Sequence, residues 1–165
     1  MAADDLARRL ARLEDREEIR DVVIRYATAL DSRDWTLLAE VFAPDGAADY
    51  GALAGTPTGP TEIAEACRQV LAGLDASQHM LGNIAVDADG SDRATATSYF
   101  RAQHYLVGDN GANTYVVAGV YTDRLRRTAD GWRIDYRTLT PTWTDGNAGI
   151  FPMAQARLAA REAAE

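Results

Sequence analysis

Four side chains in the sequence are suited to moving protons, namely those of Tyr26, Asp31, His79 and His104. A carboxylate beside an imidazole fixes the tautomer of the ring and makes it a better base. A nearby tyrosine hydroxyl can polarise a carbonyl or stabilise an enolate. If the fold brings these groups together, they could remove a proton next to a carbonyl and then expel a leaving group or return the proton elsewhere.

Each of these residues also has a purely structural interpretation. Asp31 follows an amphipathic helical stretch, where its carboxylate would oppose the helix dipole, so it could instead cap the helix that opens at Asp34-Trp35. The local sequence alone favours that cap. A lone histidine on an apolar strand face is usually a core residue with a satisfied hydrogen bond, and this holds for His79 and His104 taken separately.

Other catalytic patterns are missing from the sequence. Two histidines and an aspartate could form a facial metal triad, but no HxD, HxxxH or ExxH spacing supports one. Ser77 and Ser98 lack the GxSxG context of a hydrolase nucleophile, and the glycines of residues 51–59 match neither a dinucleotide loop nor a phosphate loop. The single cysteine, Cys67, excludes an intramolecular disulfide and a cysteine-based zinc site. We therefore expect neither a metal nor a cofactor.

The stretch that carries the tyrosine and the acid belongs to the first of several predicted helices. Its apolar residues recur at spacings of three and four, which predicts a helix over residues 4–30. A second helix is expected at 35–42, a short strand at 47–50 and a third helix at 60–74. The tail 152–165 is rich in Ala and Arg, and we expect a C-terminal helix or an irregular tail there.

Four long extended segments lie between the third helix and the tail, at 77–88, 92–108, 112–128 and 131–144. Thr, Val, Tyr and Trp dominate them, and turn signals of the Asp-Gly type separate them, which predicts an antiparallel meander. His104 shares its strand parity with apolar neighbours, so its side chain should point inward. Helices packed against a long curved sheet make an α+β fold with a pocket between the layers, where ligands usually bind.

The overall charge limits the partners of the protein. Its 165 residues carry a net charge of −8, from 17 basic and 25 acidic residues, which argues against nucleic acid and against anionic membrane surfaces. The apolar fraction of 47% is typical of a globular domain. The sequence contains no signal-peptide core and no run of about 20 apolar residues that could span a membrane. We therefore expect a soluble, cytoplasmic protein.

Most of the chain resembles one known superfamily. The segments IRDVVIRYATALDSRDWTLLAEVFAPDG, SQHMLGNIAVD and GVYTDRLRRTADGWRI, with the strand of His104, resemble the SnoaL-like branch of the nuclear transport factor 2-like superfamily. The resemblance spans about residues 5–145. It implies a cone-shaped α+β barrel in which three N-terminal helices pack in a curved, mostly antiparallel sheet, with the whole chain, 1–165, as a single domain.

The resemblance also implies roles for individual residues. Several members of this branch are cofactor-free lyases or isomerases, including scytalone dehydratase, bile acid 7α-dehydratase and hexachlorocyclohexane dehydrochlorinase. In these enzymes the acid that ends the first helix and the histidine that opens the first long strand form a catalytic dyad, which falls here on Asp31 and His79. Tyr26 matches a functional tyrosine five residues before that acid, and His104 matches a second strand histidine.

The remaining expected site residues would bind the substrate. Tyr50 corresponds to a pocket tyrosine of the family, and Arg137 lies near a late-strand arginine that some members use. The side chains of Met80, Phe100 and Trp143 would supply apolar walls. These five residues complete the site that the sequence and the resemblance together predict.

The leading hypothesis is a cofactor-independent lyase of the dehydratase type, using Asp-His acid–base catalysis on a hydrophobic cyclic molecule of polyketide, steroid or terpenoid type. An isomerase or polyketide cyclase would use the same proton abstraction, and the sequence does not separate these activities. The alternative without chemistry is a small-molecule-binding domain, or a structural domain like the β-subunit of ring-hydroxylating dioxygenases. Relatives usually pair through the outer face of the sheet, which implies a homodimer or a homotrimer.

Overall fold

A computed structural model describes residues 2–108 and 111–164, so the predicted turn at Asp109-Asn110 lies outside the described residues. The helices and strands follow one another along the chain in this order: α1 (Ala2–Ser32), α2 (Trp35–Glu40), β1 (Phe42–Asp49), α3 (Pro60–Leu71), β2 (Ala76–Ala88), β3 (Arg93–Gly108), β4 (Gly111–Thr128), β5 (Gly131–Gly146) and α4 (Ile150–Glu162). The structure is therefore of the α+β class, as the sequence predicts.

The five strands form one open sheet in the order β1-β5-β4-β3-β2. Strands β2 to β5 make the predicted antiparallel meander, and β1 joins its edge by pairing in parallel with β5. The strand β1 starts five residues earlier than expected, at Phe42, and its pairing with β5 is irregular between Phe42 and Ala47. That irregularity accommodates Pro44 and Gly46, which at sequence level indicated a turn.

The second half of α1 packs into the concave side of the sheet. Its inward residues are fully or almost fully buried, and they are the ones whose spacing predicted the helix: Ile19, Val22, Val23, Tyr26 and Leu30. Strand β2 lies along this half of the helix. The packing brings the C-terminal end of α1 next to the start of β2, where two of the predicted site residues are located.

Strand β3 alternates strictly between buried and exposed residues along its length. His104 is on the buried side, with only 4% of its surface exposed, which confirms the predicted inward orientation. The same alternation places Phe100 and Ala102 on the concave side and Tyr99 and Tyr105 on the convex side. Strand parity in β3 therefore decides which side chains can reach the interior.

The C-terminal tail forms a regular helix, α4, which packs against the body of the protein through Ile150, Ala154 and Leu158. Its close approach to the turn after α3 requires a glycine, because a Cβ added at Gly73 would lie 1.9 Å from the carbonyl oxygen of Ala154. Of the two expectations for the tail, the helix is the one that the structure bears out. Within the described residues, none of the helices is long and apolar enough to cross a membrane.

Candidate active site

Asp31 and His79 are in direct contact where α1 ends and β2 begins. The ring Nδ1 of His79 lies 2.6 Å from Oδ1 of Asp31, and the backbone N–H of His79 donates to Oδ2 at 2.8 Å. The side chain of His79 is 5% exposed and that of Asp31 is 28% exposed. An ionised carboxylate can only accept, so the ring donates its Nδ1 proton, and in the neutral ring Nε2 is left free to accept one.

The carboxylate of Asp31 is held in its charged form by its surroundings. Burial raises the pKa of this carboxyl, but hydrogen bonds from the ring and backbone of His79 and from the hydroxyl of Ser77 outweigh burial and leave the pKa below its ordinary value. Asp31 does not cap the next helix. The cap is Asp34, whose Oδ1 accepts the backbone N–H of Leu37 at 2.9 Å.

The second histidine is close to the first but hydrogen-bonds to a backbone carbonyl instead of a carboxylate. The rings of His79 and His104 meet edge to face, with centroids 5.8 Å apart. Burial, with a smaller contribution from the charge of His79, lowers the pKa of His104 to about 4, so this ring is neutral at pH 7. Its Nδ1 lies 3.0 Å from the carbonyl oxygen of Tyr115, which requires the proton to be on Nδ1. Its Nε2 can therefore accept a hydrogen bond but cannot donate one.

Two tyrosine hydroxyls form a second polar group in the interior. The hydroxyl of Tyr26 donates to that of Tyr50 at 3.0 Å. Burial is the main cause that raises the pKa of both phenols well above the ordinary value, so both stay protonated at neutral pH. The Tyr50 hydroxyl accepts from Tyr26, which leaves its own proton available for another acceptor. The pair can therefore act as a hydrogen-bond donor within the protein.

A cavity connects these groups, and its empty space is about 480 Å³ when the mouth that opens to solvent is included. Five of the predicted site residues line it, namely Tyr26, Tyr50, His79, Phe100 and His104. Aliphatic and aromatic side chains make up most of the remaining wall, including Leu30, Leu71, Val117, Leu139, Tyr121 and Phe151. None of the lining residues is an aspartate, glutamate, lysine or arginine. The cavity therefore suits a mostly apolar molecule that carries a few polar atoms.

Two of the expected wall residues lie outside the cavity. Met80 is 58% exposed and Trp143 is 49% exposed, both on the convex side of the sheet. Met80 follows the inward-facing His79, and adjacent residues of a strand point to opposite faces. Trp143 is paired with Ala118, the neighbour of the cavity residue Val117, and so faces outward with it. The expectation that these two side chains form apolar walls is therefore corrected.

Arg137 also lies outside the cavity, behind its tyrosine wall. The guanidinium is completely buried and forms a bidentate pair with Asp123, at 2.7 and 2.6 Å. Its carbon atom lies 3.9 Å from the ring centroid of Tyr26 and 4.4 Å from that of Tyr121. We expected Arg137 to contact the substrate directly, and this expectation is corrected. The rings of Tyr26 and Tyr121 line the cavity and lie against the guanidinium, so Arg137 can act on a substrate through these rings.

Sequence reasoning missed two aromatic residues of the site. Tyr121 stacks on Phe100 with ring centroids 4.3 Å apart, and Phe151 packs its ring edge to face on His104 at 4.9 Å. Tyr121 shares strand parity with Val117, so the alternation in β4 was an available signal. Phe151 gave no such signal, because its position depends on how α4 folds back onto the sheet.

Groups of three or more metal-ligating side chains are not found within residues 2–108 and 111–164. The polar groups that the fold does bring together are the Asp31–His79 pair, the neutral His104 and the Tyr26–Tyr50 pair. This arrangement offers one base, one acceptor and one hydroxyl donor around a single cavity. It can support removal of a proton from carbon with stabilisation of the resulting anion.

The chain is similar to known proteins over most of its length. The family model of the SnoaL-like domain matches residues 11–138. An uncharacterised protein of Mycobacterium tuberculosis is 36% identical over 132 residues, which cover 79% of this chain and 88% of that protein. A Penicillium crustosum protein, terrestric acid biosynthesis cluster protein E, is 30% identical over 145 residues, which cover 84% of this chain and 90% of that protein.

Three solved structures from Novosphingobium aromaticivorans share the fold. A nuclear transport factor 2-like protein with a cystatin-like fold has 33% identity and a TM-score of 0.67, covering 94% of this chain and 96% of its own. A protein provisionally assigned as an aromatic ring hydroxylase has 30% identity and a TM-score of 0.73, covering 83% and 96%. One provisionally assigned as a scytalone dehydratase has 20% identity and a TM-score of 0.74, covering 83% and 90%, and it supports the fold alone.

Proposed function

The chain belongs to the SnoaL-like family of the nuclear transport factor 2-like superfamily, and from this premise we propose that it is a cofactor-independent lyase of the dehydratase type. The observation that carries the proposal is the 2.6 Å contact between Asp31 and His79 at the wall of an apolar cavity. The family supports lyase or isomerase chemistry in broad terms. The substrate we propose is a hydrophobic cyclic molecule of polyketide, steroid or terpenoid type.

In the proposed reaction, His79 is the base. Its Nε2 takes a proton from the carbon next to the substrate carbonyl, and Asp31 stabilises the imidazolium that forms. The electrons of the broken C–H bond first move onto the carbonyl oxygen, which gives an enolate. They then form the carbon–carbon double bond as the carbonyl is restored and the C–O bond to the hydroxyl breaks. The proton passes from His79 to the departing hydroxide, so that water leaves and the enzyme returns to its starting state.

In the proposed reaction, the Tyr26–Tyr50 pair stabilises the negative charge that develops on the substrate oxygen. The free proton of Tyr50, supported by the hydroxyl of Tyr26, would donate to the enolate oxygen. The buried cation of Arg137 lies against the ring of Tyr26 and opposes the rise in the pKa of that phenol, so it favours negative charge nearby. His104, as a neutral acceptor, would orient the substrate hydroxyl that leaves.

Two other functions remain as alternatives to a dehydratase. An isomerase or polyketide cyclase would use the same base and the same tyrosine pair, with the proton returned to another carbon. A non-catalytic binding or structural domain, like the β-subunit of ring-hydroxylating dioxygenases, is favoured by the 30% identity to the protein provisionally assigned as an aromatic ring hydroxylase. A scaffold, however, has no need of a carboxylate paired with a histidine at a cavity wall.

The test is a screen of cyclic β-hydroxy carbonyl compounds for loss of water, followed through the absorbance of the conjugated product. On an active compound, Asp31→Asn should lower kcat by about 10²- to 10⁴-fold, the usual contribution of a positioned acid–base group. Asp34→Asn is the matched control, because it removes a neighbouring carboxylate that caps α2 while asparagine can still cap. It should leave kcat within about twofold, an inconsequential change on that scale.

Two results would contradict the proposal. If Asp31→Asn turns over as fast as the wild type, the dyad is not the base. If compounds bind in the cavity but the wild type converts none of them, the binding-domain alternative takes its place.

A further inference from the structure

The helix α1 ends in a conformation that normally selects glycine. The backbone N–H of Asp34 donates to the carbonyl of Ala29 at 3.0 Å, and the N–H of Arg33 donates to that of Leu30 at 3.4 Å. These two bonds define a Schellman motif, whose penultimate residue adopts a left-handed conformation. That residue is Arg33, with φ of +60°. A side chain in this region is strained, and glycine is not, so the presence of an arginine requires a reason.

The side chain of Arg33 supplies such a reason, because it reaches the proposed dyad. Its Nη1 donates to the hydroxyl oxygen of Ser77 at 2.7 Å, and the Ser77 hydroxyl donates to Oδ1 of Asp31 at 3.1 Å. That same Oδ1 accepts the ring N–H of His79. Arg33, Ser77, Asp31 and His79 therefore form one continuous chain of hydrogen bonds.

The direction of the bonds in this chain is fixed by the arginine. A guanidinium has no acceptor, so Ser77 must accept from it, and the single hydroxyl proton of Ser77 is then directed at Asp31. The cation is also half-buried and close to the carboxylate, which favours the ionised form of Asp31. Burial lowers the pKa of Arg33, but the charge of Asp31 opposes that change.

We propose that Arg33 is a positioning residue of the dyad, which acts through Ser77 to fix the rotamer and the charge of Asp31 and thereby keeps the His79 proton on Nδ1. Its catalytic consequence rests on the function proposed above. The competing explanation is that Arg33 is only a helix cap, since its Nη1 also donates to the carbonyl of Leu30 at 2.5 Å. The two explanations differ in what they predict for a glycine at this position.

The test compares unfolding with the state of the dyad in Arg33→Gly. Glycine suits the left-handed conformation, so the unfolding midpoint should stay the same or rise. The hydrogen-bonded Nδ1–H of His79, observed as a downfield proton resonance in ¹⁵N-labelled protein, should broaden or disappear. Ser77→Ala should cause the same loss, and the double variant should add little, because both changes break one path.

Conservative variants separate charge from shape. Arg33→Lys keeps a cationic donor and should retain the Nδ1–H resonance, whereas Arg33→Gln keeps a donor without charge and should not. Arg20→Gln is the matched control, because it removes an arginine of the same helix that pairs with Glu17 on the surface. That variant should leave the resonance unchanged. On an active substrate, Arg33→Gly should lower kcat about tenfold, with a smaller effect on KM.

Two further outcomes show whether the inference fails alone or together with the proposed function. If the wild type shows the Nδ1–H resonance and Arg33→Gly shows it equally, Arg33 is only a cap and the inference fails while the dyad stands. If the wild type itself lacks the resonance, there is no dyad to position, and both the inference and the proposed acid–base mechanism fail.

Discussion

His104 shows how burial decides the chemistry of a single side chain. The ring is 4% exposed, and its Nδ1 proton is committed to a backbone carbonyl. Because burial lowers its pKa to about 4, the ring does not carry a proton on Nε2 at neutral pH. In the cavity, the tyrosine pair can therefore donate a hydrogen bond, and His104 can accept one.

The same burial should make stability depend on pH through His104. The unfolded chain binds a proton at this histidine near pH 6.5, whereas the folded protein binds it only near pH 4. Between these values the unfolded state carries more protons, so stability should fall as the pH is lowered. From pH 7 to 4.5, His104 should contribute a loss of about 2–3 kcal/mol in the free energy of unfolding.

This prediction is checked by denaturant unfolding of the wild type and His104→Gln at both pH values. Glutamine can still donate to the carbonyl of Tyr115 but does not titrate, so the variant should lose about 2–3 kcal/mol less between the two pH values. The carboxylates contribute to both proteins and cancel in the difference. Equal losses in the two proteins would show that folding does not lower the pKa of His104.

At the scale of elements, α4 closes one side of the cavity. The ring of Phe151 contacts His104. Arg157 ties α4 to the segment after α3 by bonding to Asp75 at 2.8 Å, and to strand β3 by bonding to the carbonyl of Val107 at 2.5 Å. Gly73 lets the backbones approach without a side chain between them. A segment that the sequence describes only as Ala- and Arg-rich thus becomes part of the cavity wall.

A methyl group at Gly73 should therefore loosen α4. A Cβ at this position would meet the carbonyl oxygen of Ala154 at 1.9 Å, so one of the two backbones must move. We expect Gly73→Ala to cost about 1–3 kcal/mol of stability and to reduce the hydrogen-exchange protection of α4 amides.

Gly82→Ala is the matched control, because a Cβ there meets nothing within 4 Å. It should leave the protection of α4 unchanged. If the α4 amides are equally protected from hydrogen exchange in both variants, the close approach at Gly73 does not hold the helix in place.

At the scale of the whole molecule, the convex side of the sheet exposes large apolar side chains that a monomer would leave in water. These are Met80, Tyr99, Tyr105, Val107 and Trp143, and each is more than one third exposed. A surface of this composition is typical of an interface. It supports the proposal that the protein is a homodimer or a homotrimer paired through this face.

A charge on that face should break the assembly. Trp143→Glu would bury a carboxylate in the proposed interface, so we expect the molar mass from light scattering to fall to that of one 17.9 kDa chain. Ile24→Glu is the control, since Ile24 is exposed on α1 and not on the convex face. A dimeric or trimeric mass that Trp143→Glu leaves intact would exclude this face as the interface.

The elements of the fold follow from local sequence, and this is why they could be predicted. The spacing of Ile19, Val22 and Leu30 fixes the buried face of α1, and the Asp-Gly turns fix where the long strands reverse. Parity alone placed His104 inside. The same parity should have placed Met80 outside, because it is adjacent to His79 in an extended strand.

Pairings between distant residues were decided by the tertiary structure alone. The local sequence favoured Asp31 as a helix cap, but the packing of β2 on α1 brings Asp31 to His79, and Asp34 caps α2 instead. Arg137 could be recognised as a polar residue on the last strand, but its partner Asp123 is on the neighbouring strand. Local sequence determines periodicity and turns because these depend on adjacent residues. Contacts across the cavity depend on how curved layers meet, and that is a property of the whole chain.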